Sequence, residues 1–342
     1  LQHGEEKGIE MQHITVKQVD AFTTRPFCGN PAGVITEADG LSRDMMQKIA
    51  GEMNLSETAF VSMAETEDTL FRIHFFTPSE EVDLSGHVTI ATCFALVEEG
   101  RIPLENGVTK MFLDTNIGRL PVDIYFQRSS ELGAPADGDE GTVPLVVDGI
   151  TIGSLEKIMM HQPIKGFRPS NVPIGEISAI LGIDEDEIFG SGLPLEIVST
   201  GLSQLMVPVK RKETVLSMNP DLIKLALMNK KVGIDTNHIF TLDTFNTESV
   251  SYSRHFAPAV GMWEDPATGT AAAGLGTYLI RHGVVTSCSM VMEQGKEIDS
   301  LANILVEVDE AAGEISSVQI GGLAVTSITR TIQLESGEVI IA

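Results

Sequence analysis

Three side chains able to take up or steer a proton stand at abrupt changes of pattern in this 342-residue chain: Glu57, His87 and Asp265. Glu57 closes the turn-like Asn54-Leu-Ser-Glu57, and the β-rich Thr-Ala-Phe-Val-Ser-Met follows it. Asn54 and Glu57 have capping-box spacing, yet a capping box needs a helix behind it and here a strand follows. A carboxylate at the mouth of an apolar strand is desolvated, which raises its pKa toward the range useful for proton transfer. His87 lies inside an apolar helical run, where a lone histidine is ordinarily a satisfied core residue. Asp265 precedes Pro266, and such a pair commonly starts a helix or turn, so capping is its plain reading.

The elements that must position these groups are two apolar runs. Ser85-Gly-His-Val-Thr-Ile-Ala-Thr-Cys-Phe-Ala-Leu-Val-Glu-Glu-Gly100 can be laid over Thr268-Gly-Thr-Ala-Ala-Ala-Gly-Leu-Gly-Thr-Tyr-Leu-Ile-Arg-His-Gly283 at a constant offset of 183. Gly86 then falls on Gly269, Leu96 on Leu279 and Gly100 on Gly283. A helix apolar on nearly every face belongs inside a domain. The repeat therefore predicts two similar domains, each a curved sheet around one buried helix, at about 86–99 and 269–282. A buried helix starting at glycine presents free N–H groups and a positive dipole end to whatever lies beyond it. Two such ends facing each other across a cleft form a pocket for a carboxylate. Ser85 and Thr268 can equally be plain N-caps, with the nearby acids complementing the dipoles.

The rest of the chain reads as α+β, with antiparallel sheet dominant. A strand begins at His13, and its alternation slips after Val16, which suggests a bulge. Ser42 is placed to cap a helix carrying Met45, Met46, Ile49, Ala50 and Met53 on one face. Leu70 to Thr77 alternates as a strand. In the second half, strands are expected near 144–152, 194–209, 237–243 and 248–256, and a helix near 219–229. The turn-rich stretch 126–142 is read as a linker between an N-terminal domain over 11–130 and a C-terminal domain over 143–325. Residues 326–342 are expected as terminal strands returning to the N-terminal domain, and 1–10 as a tag or disordered extension.

Hydrophobic residues at 42% and charged residues at 21% are globular values, which excludes disorder of the whole chain. The formal charge of −25 disfavours nucleic acid and anionic membrane surfaces as partners. The three cysteines are too few and scattered for a disulfide framework, and without CxxC spacing they make no zinc ribbon, so a reducing cytoplasm is expected. Walker A, HExxH, GxSxG and strand-linked GxGxxG patterns are absent. Gly274-Leu-Gly276 falls inside the second helix and reads as close packing.

Ordered blocks then carry a resemblance: Val19-Asp-Ala-Phe22, Pro26-Phe-Cys-Gly-Asn-Pro-Ala-Gly-Val34, Asn54-Leu-Ser-Glu-Thr-Ala-Phe-Val61, Phe76-Thr-Pro78 with Glu81-Val-Asp-Leu-Ser-Gly-His-Val-Thr89, Ser199-Thr-Gly-Leu202, Arg254-His-Phe-Ala-Pro258 and Glu264-Asp-Pro-Ala-Thr-Gly-Thr-Ala-Ala272. Nearly the whole chain is similar to the phenazine-biosynthesis (PhzF-like) family. The resemblance implies the diaminopimelate-epimerase-like fold, with two pseudo-symmetric domains and a cleft between them. It implies chemistry without metal or organic cofactor, and a homodimer. Glu57 corresponds to the family's general acid/base, with His87 and Asp265 as its companions. Asn30, in the Cys-Gly-Asn-Pro block, would bind substrate together with Ser85 and Thr268, and the amides of Gly86, His87, Gly269 and Thr270 would hold its carboxylate.

Thiol-based racemases of this fold carry a cysteine at each helix entrance, whereas here Ser85 and the Asp265-Pro266 region stand there. A serine hydroxyl gives no accessible anion near neutral pH, so two-thiol racemisation is disfavoured. Cys28 and Cys93 are read as packing residues. The expected activity is a cofactor-independent isomerase moving a proton on a small carboxylate-bearing, cyclic or unsaturated metabolite. The competing reading is a non-catalytic small-molecule-binding or partner-recruiting homologue, because a fold does not settle function. His255 stands where the family more often has an apolar residue.

Overall fold

Parallel neighbours in a sheet need a crossover connection, and in the computed structural model of the chain the two buried helices supply two of the four among the described residues. Residues 12–64, 69–129, 141–147, 150–311, 314–335 and 338–341 are described. The first part runs β1 (Gln12–Ala21), β2 (Asn30–Ile35), α1 (Arg43–Met53), β3 (Thr58–Met63), β4 (Phe71–Phe76), β5 (Glu81–Val82) and α2 (Gly86–Glu98). Then come β6 (Gly107–Thr115), β7 (Gly118–Arg128), β8 (Val143–Val147), β9 (Ile150–Gln162) and β10 (Gly166–Pro169). Next follow α3 (Ile174–Leu181), α4 (Glu185–Phe189), β11 (Glu196–Ser199), β12 (Ser203–Pro208), α5 (Lys212–Ser217) and α6 (Leu222–Val232). The chain continues with β13 (Thr236–Thr241), β14 (Ser251–Ala257), β15 (Met262–Asp265) and α7 (Gly269–Arg281). It ends on β16 (Ser289–Gln294), β17 (Ala302–Ala311), β18 (Glu314–Gly322), β19 (Ala324–Glu335) and β20 (Glu338–Ile341).

The same sequence of pairings occurs twice. Strands β1 and β2 are antiparallel, β2 and β3 parallel, β3 and β4 antiparallel, β4 and β6 parallel, and β6 and β7 antiparallel. Strands β11, β12, β13, β14, β16 and β17 repeat that alternation in order. Helix α2 makes the crossover from β5 to β6, and α7 the crossover from β15 to β16. The helices start at Gly86 and Gly269 and end at Glu98 and Arg281, so both ends keep the offset of 183 seen in the sequence. Pairing of β9 with β7 and with β18 joins the two sets into one hydrogen-bonded, 20-stranded sheet. Strand β19 lies antiparallel to β1, its register shifting between Gln18 and Val19, two residues beyond the expected slip.

Burial explains why α2 and α7 carry no polar face. Every residue from His87 to Val97 is buried, as is Ala271 to Leu279, and one hydrophobic core contains both helices. Gly274 and Gly276 are packing glycines: a Cβ on them would meet Met206 Cε and Val306 Cγ1, each at 2.8 Å. Ser42 caps α1, its hydroxyl accepting from Met45 N–H at 3.2 Å.

Several sequence expectations change. The strand expected near 144–152 is a hairpin of β8 and β9, and that near 194–209 is divided around Gly201 into β11 and β12. Helix α6 begins at Leu222, three residues later than expected, because Asp221 caps it, accepting from Lys224 N–H. Helices α3, α4 and α5 are additional, and with α6 they cover a second core against β11–β14. Of the expected linker, 126–128 complete β7, while 130–140 lie outside the described residues, as do 1–11. Among the described residues no helix is long and apolar enough to cross a membrane.

Candidate active site

Helix α1 ends at Asn54, whose left-handed backbone (φ 51°) lets its N–H reach Ala50 O. Asn54 therefore closes the helix behind it instead of opening a capping box ahead. The chain turns, and Glu57 O accepts from Gly33 N–H at 3.1 Å, which pins Glu57 at the entrance of β3. The Glu57 side chain is 15% exposed, and Ser85 Oγ donates a hydrogen bond to its Oε2. Burial pushes the carboxyl up, the Ser85 bond opposes this, and the nearby Asp265 charge adds to it, leaving the pKa at about 7.

Ser85 and Thr268 occupy the N-cap positions of α2 and α7, yet neither side chain caps its helix. Ser85 turns to Glu57, and Thr268 Oγ1 donates to Asp265 Oδ2 at 2.6 Å. The plain-cap reading is thereby set aside: each hydroxyl serves a carboxylate, and the first-turn amides of both helices receive no N-cap side-chain acceptor. Gly86 and Gly269 both face Ile320, whose Cδ1 stands 3.7 Å and 2.8 Å from where their Cβ atoms would be. The two helix starts thus lie against the same side chain, and the positive dipole end of each favours an anion.

Both ring nitrogens of His87 are engaged. Nδ1 lies 3.4 Å from Ser85 Oγ and 3.7 Å from Glu57 Oε2, and Nε2 lies 3.3 Å from Ser56 Oγ. Burial drops its pKa to about 3, so the imidazole is neutral.

Asp265 ends β15 and is held more tightly than Glu57. Thr268 serves its Oδ2, Asn30 Nδ2 donates to Oδ1 at 2.7 Å, and the Ala267 backbone adds a third bond. Burial raises its pKa to about 6 against these bonds. Asn30 Nδ2 also donates to Ala267 O at 2.8 Å, so Asn30 clamps the Asp265 turn from the other half of the chain. Gln294 braces the same turn: its Nε2 donates to Asp265 O at 2.7 Å and its Oε1 accepts from Thr268 N–H at 3.1 Å. The Thr270 carbonyl accepts from Thr200 Oγ1 at 2.8 Å and Gln204 Nε2 at 3.2 Å, which fixes the first turn of α7.

The structure brings Glu57, Ser85, Gly86, His87, Asn30, Asp265, Thr268, Gly269 and Thr270 to the two helix starts. Sequence reasoning passed over Ser56, although it stands in the Asn-Leu-Ser-Glu block, and over Gln294 and Ile320, which carry no local signal. It left His255 without a role. In the register of β14 and β15, His255 lies opposite Asp265, and its Nδ1 is 3.3 Å from His238 Nδ1. Both imidazoles are buried and pushed well below their usual pKa. Cys93 is buried in α2, its thiol raised to about 12, Cys28 is half-buried and Cys288 exposed.

Residues 19–330 match the family described as phenazine biosynthesis-like protein. An uncharacterized isomerase of Bacillus subtilis, YfhB, is 33% identical over 325 residues, covering 95% of this chain and 100% of its own. One from Clostridium acetobutylicum is 32% identical, covering 90% and 94%. The crystal structure of a Bacillus anthracis phenazine biosynthesis protein of the PhzF family superposes with a TM-score of 0.79 at 29% identity, over 94% of this chain and all of that one. A hydroxyproline epimerase from Agrobacterium vitis shares the fold alone, with a TM-score of 0.57 at 11% identity over 95% and 92% of the two chains. The chain belongs to the phenazine biosynthesis-like (PhzF-like) family of isomerases, built on the diaminopimelate-epimerase-like fold.

Proposed function

We propose that the protein moves a proton on a small carboxylate-bearing, cyclic or unsaturated metabolite, with Glu57 as the single general acid/base. The observation carrying this reading is the Glu57 carboxyl, 15% exposed and shifted to about 7, beside two uncapped helix starts that both lie against Ile320. At that pKa the group is half-loaded near neutrality, so it can take a proton from one carbon and return it to another. Amides of Gly86, His87, Gly269 and Thr270 hold the substrate carboxylate as charge shifts in the transition state. Asp265, clamped by Asn30 and Thr268, orients a polar group of the substrate. His87, with both nitrogens engaged, acts on Glu57 and its hydroxyl partner. Carbon-acid chemistry with one base and an anion cradle asks no redox or electron-sink group of the protein.

The test is proton exchange at carbon. The protein is incubated in D₂O with a panel of cyclic and unsaturated amino and hydroxy carboxylates, and deuterium uptake is read by mass spectrometry. Wild type incorporates deuterium and Glu57→Gln does not. Tight binding of a panel member without uptake by either protein would instead make the cleft a binding site and refute the isomerase reading.

A further inference from the structure

A hydroxyl group owns one hydrogen, and that restriction fixes the direction of a hydrogen-bond chain beside Glu57. While Glu57 is ionised, Ser85 Oγ spends its hydrogen on the carboxylate, so toward His87 it can only accept. His87 Nδ1, 3.4 Å from Ser85 Oγ and 3.7 Å from Glu57 Oε2, therefore carries the proton. A neutral imidazole with Nδ1–H has a bare Nε2, and among the described residues Ser56 Oγ, at 3.3 Å, is the group that supplies it with a hydrogen. The chain reads Ser56 O–H to His87 Nε2, His87 Nδ1–H to Ser85, Ser85 O–H to Glu57. His87 and Ser85 are buried, whereas Glu57 and Ser56 at the two ends are half-buried, so the chain joins two partly exposed groups through an enclosed centre.

We propose that Ser56, His87 and Ser85 form a directional proton wire through which Glu57 exchanges its proton with water, and that Ser56 is the positioning residue at its outer end. This rests on the reading of Glu57 as the acid/base. In the loading direction, Ser85 gives its hydrogen to Glu57 Oε2, His87 Nδ1 gives its own to Ser85, Ser56 gives its own to His87 Nε2, and a water outside protonates Ser56. Four bonds to hydrogen break and four form, one proton enters Glu57, and the water is left as hydroxide. The reverse sequence drains the carboxyl. Imidazolium never accumulates, because one hydrogen enters the ring as another leaves, in keeping with a histidine held neutral. The consequence is that the proton on Glu57 can be replaced from solvent while substrate covers the carboxylate itself.

Two measurements test the wire. The first reads the tautomer of His87 by long-range ¹H–¹⁵N correlation in ¹⁵N-histidine protein at pH 8.5, assigned by its loss in His87→Gln. The expected form is Nδ1–H; an Nε2–H imidazole or an imidazolium overturns the wire whether or not Glu57 is catalytic. The second uses the panel carboxylate that the enzyme turns over in D₂O and counts solvent deuterium in product per turnover. Ser56→Ala should lower that fraction at least fivefold, and Ser56→Thr, which keeps the hydroxyl, should restore it. A fraction unchanged in Ser56→Ala overturns the wire, while turnover surviving in Glu57→Gln overturns the acid/base reading instead. Loss of packing at Ser56 would change rate without changing this partition.

Discussion

Helices α2 and α7 begin alike and are equipped differently. Counting back four residues from each first glycine gives Val82 and Asp265, so the repeat offers a carboxylate at this position in the second half only. The acid on the first side comes from another element, the turn that feeds β3. Asp265 is fastened by Asn30, Thr268 and Ala267, with Gln294 bracing its backbone, whereas the Glu57 carboxylate has Ser85. Many donors stabilise the charged form of an acid and few leave it free to titrate. The repeat therefore supplies the paired helix starts, and departure from symmetry supplies two carboxyls that burial raises to about 7 and about 6, one with a single side-chain donor and one fastened by several.

The largest effect that could break this contrast is on turnover. Glu57→Gln should cost roughly 10²–10⁴ in kcat, the usual worth of a positioned acid/base. Asp265→Asn should cost about tenfold and enter partly through KM, since it disturbs orientation. Steady-state kinetics that find the two equally damaging would make the carboxylates a symmetric pair and end the distinction.

A second contrast is in stability against pH. Glu57 has a folded pKa of about 7 against an ordinary 4.5, so between these values the native state binds the extra proton and stability falls as pH rises. Glu57→Gln removes that penalty. It should leave the Tm unchanged below pH 4.5 and raise stability above pH 7 by up to about 3 kcal/mol, taking about 1.4 kcal/mol per pKa unit. Asp265, raised by burial from an ordinary 3.8 to about 6, follows the same sign, so Asp265→Asn relieves up to about 3 kcal/mol above pH 6, offset by about 1–3 kcal/mol because a donor of Thr268 or Asn30 is left unmatched. Thermal melts across pH 4–9 should show the larger net gain above pH 7 in Glu57→Gln, and a larger gain in Asp265→Asn would overturn the contrast.

The smallest contrast lies in the glycines. A Cβ at Gly269 would stand 2.8 Å from Ile320 Cδ1 and 3.3 Å from the Phe22 ring, whereas at Gly86 the nearest atom is 3.7 Å away. Gly269→Ala should cost about 1–3 kcal/mol through overpacking, and Gly86→Ala within about 0.5 kcal/mol either way, in keeping with a site that has room. Denaturant titrations with equal effects at both positions would mean that the helix starts are packed alike.

How much of this was legible beforehand depended on whether the signal was local. The buried helices could be read to within a residue, because a run apolar on every face has no stable place but a core, and the glycines at its ends mark where it starts and stops. Ser42, the slip in β1 and the packing glycines of α7 were legible for the same reason: each leaves its mark within one or two turns of chain. Helices α3 to α5 were not, being short and stabilised by a core shared with distant β strands. Local residue types thus determined which side chains could carry a proton and which helices must be buried. Tertiary structure alone decided that Ser85 and Thr268 turn from their helices to carboxylates, that Asn30 reaches 235 positions along the chain to Asp265, and that Ser56 meets His87. The reason is that hydrogen-bond direction and desolvation depend on which groups lie within a few ångströms, and residues far apart in a chain acquire such neighbours only when the sheet closes around them.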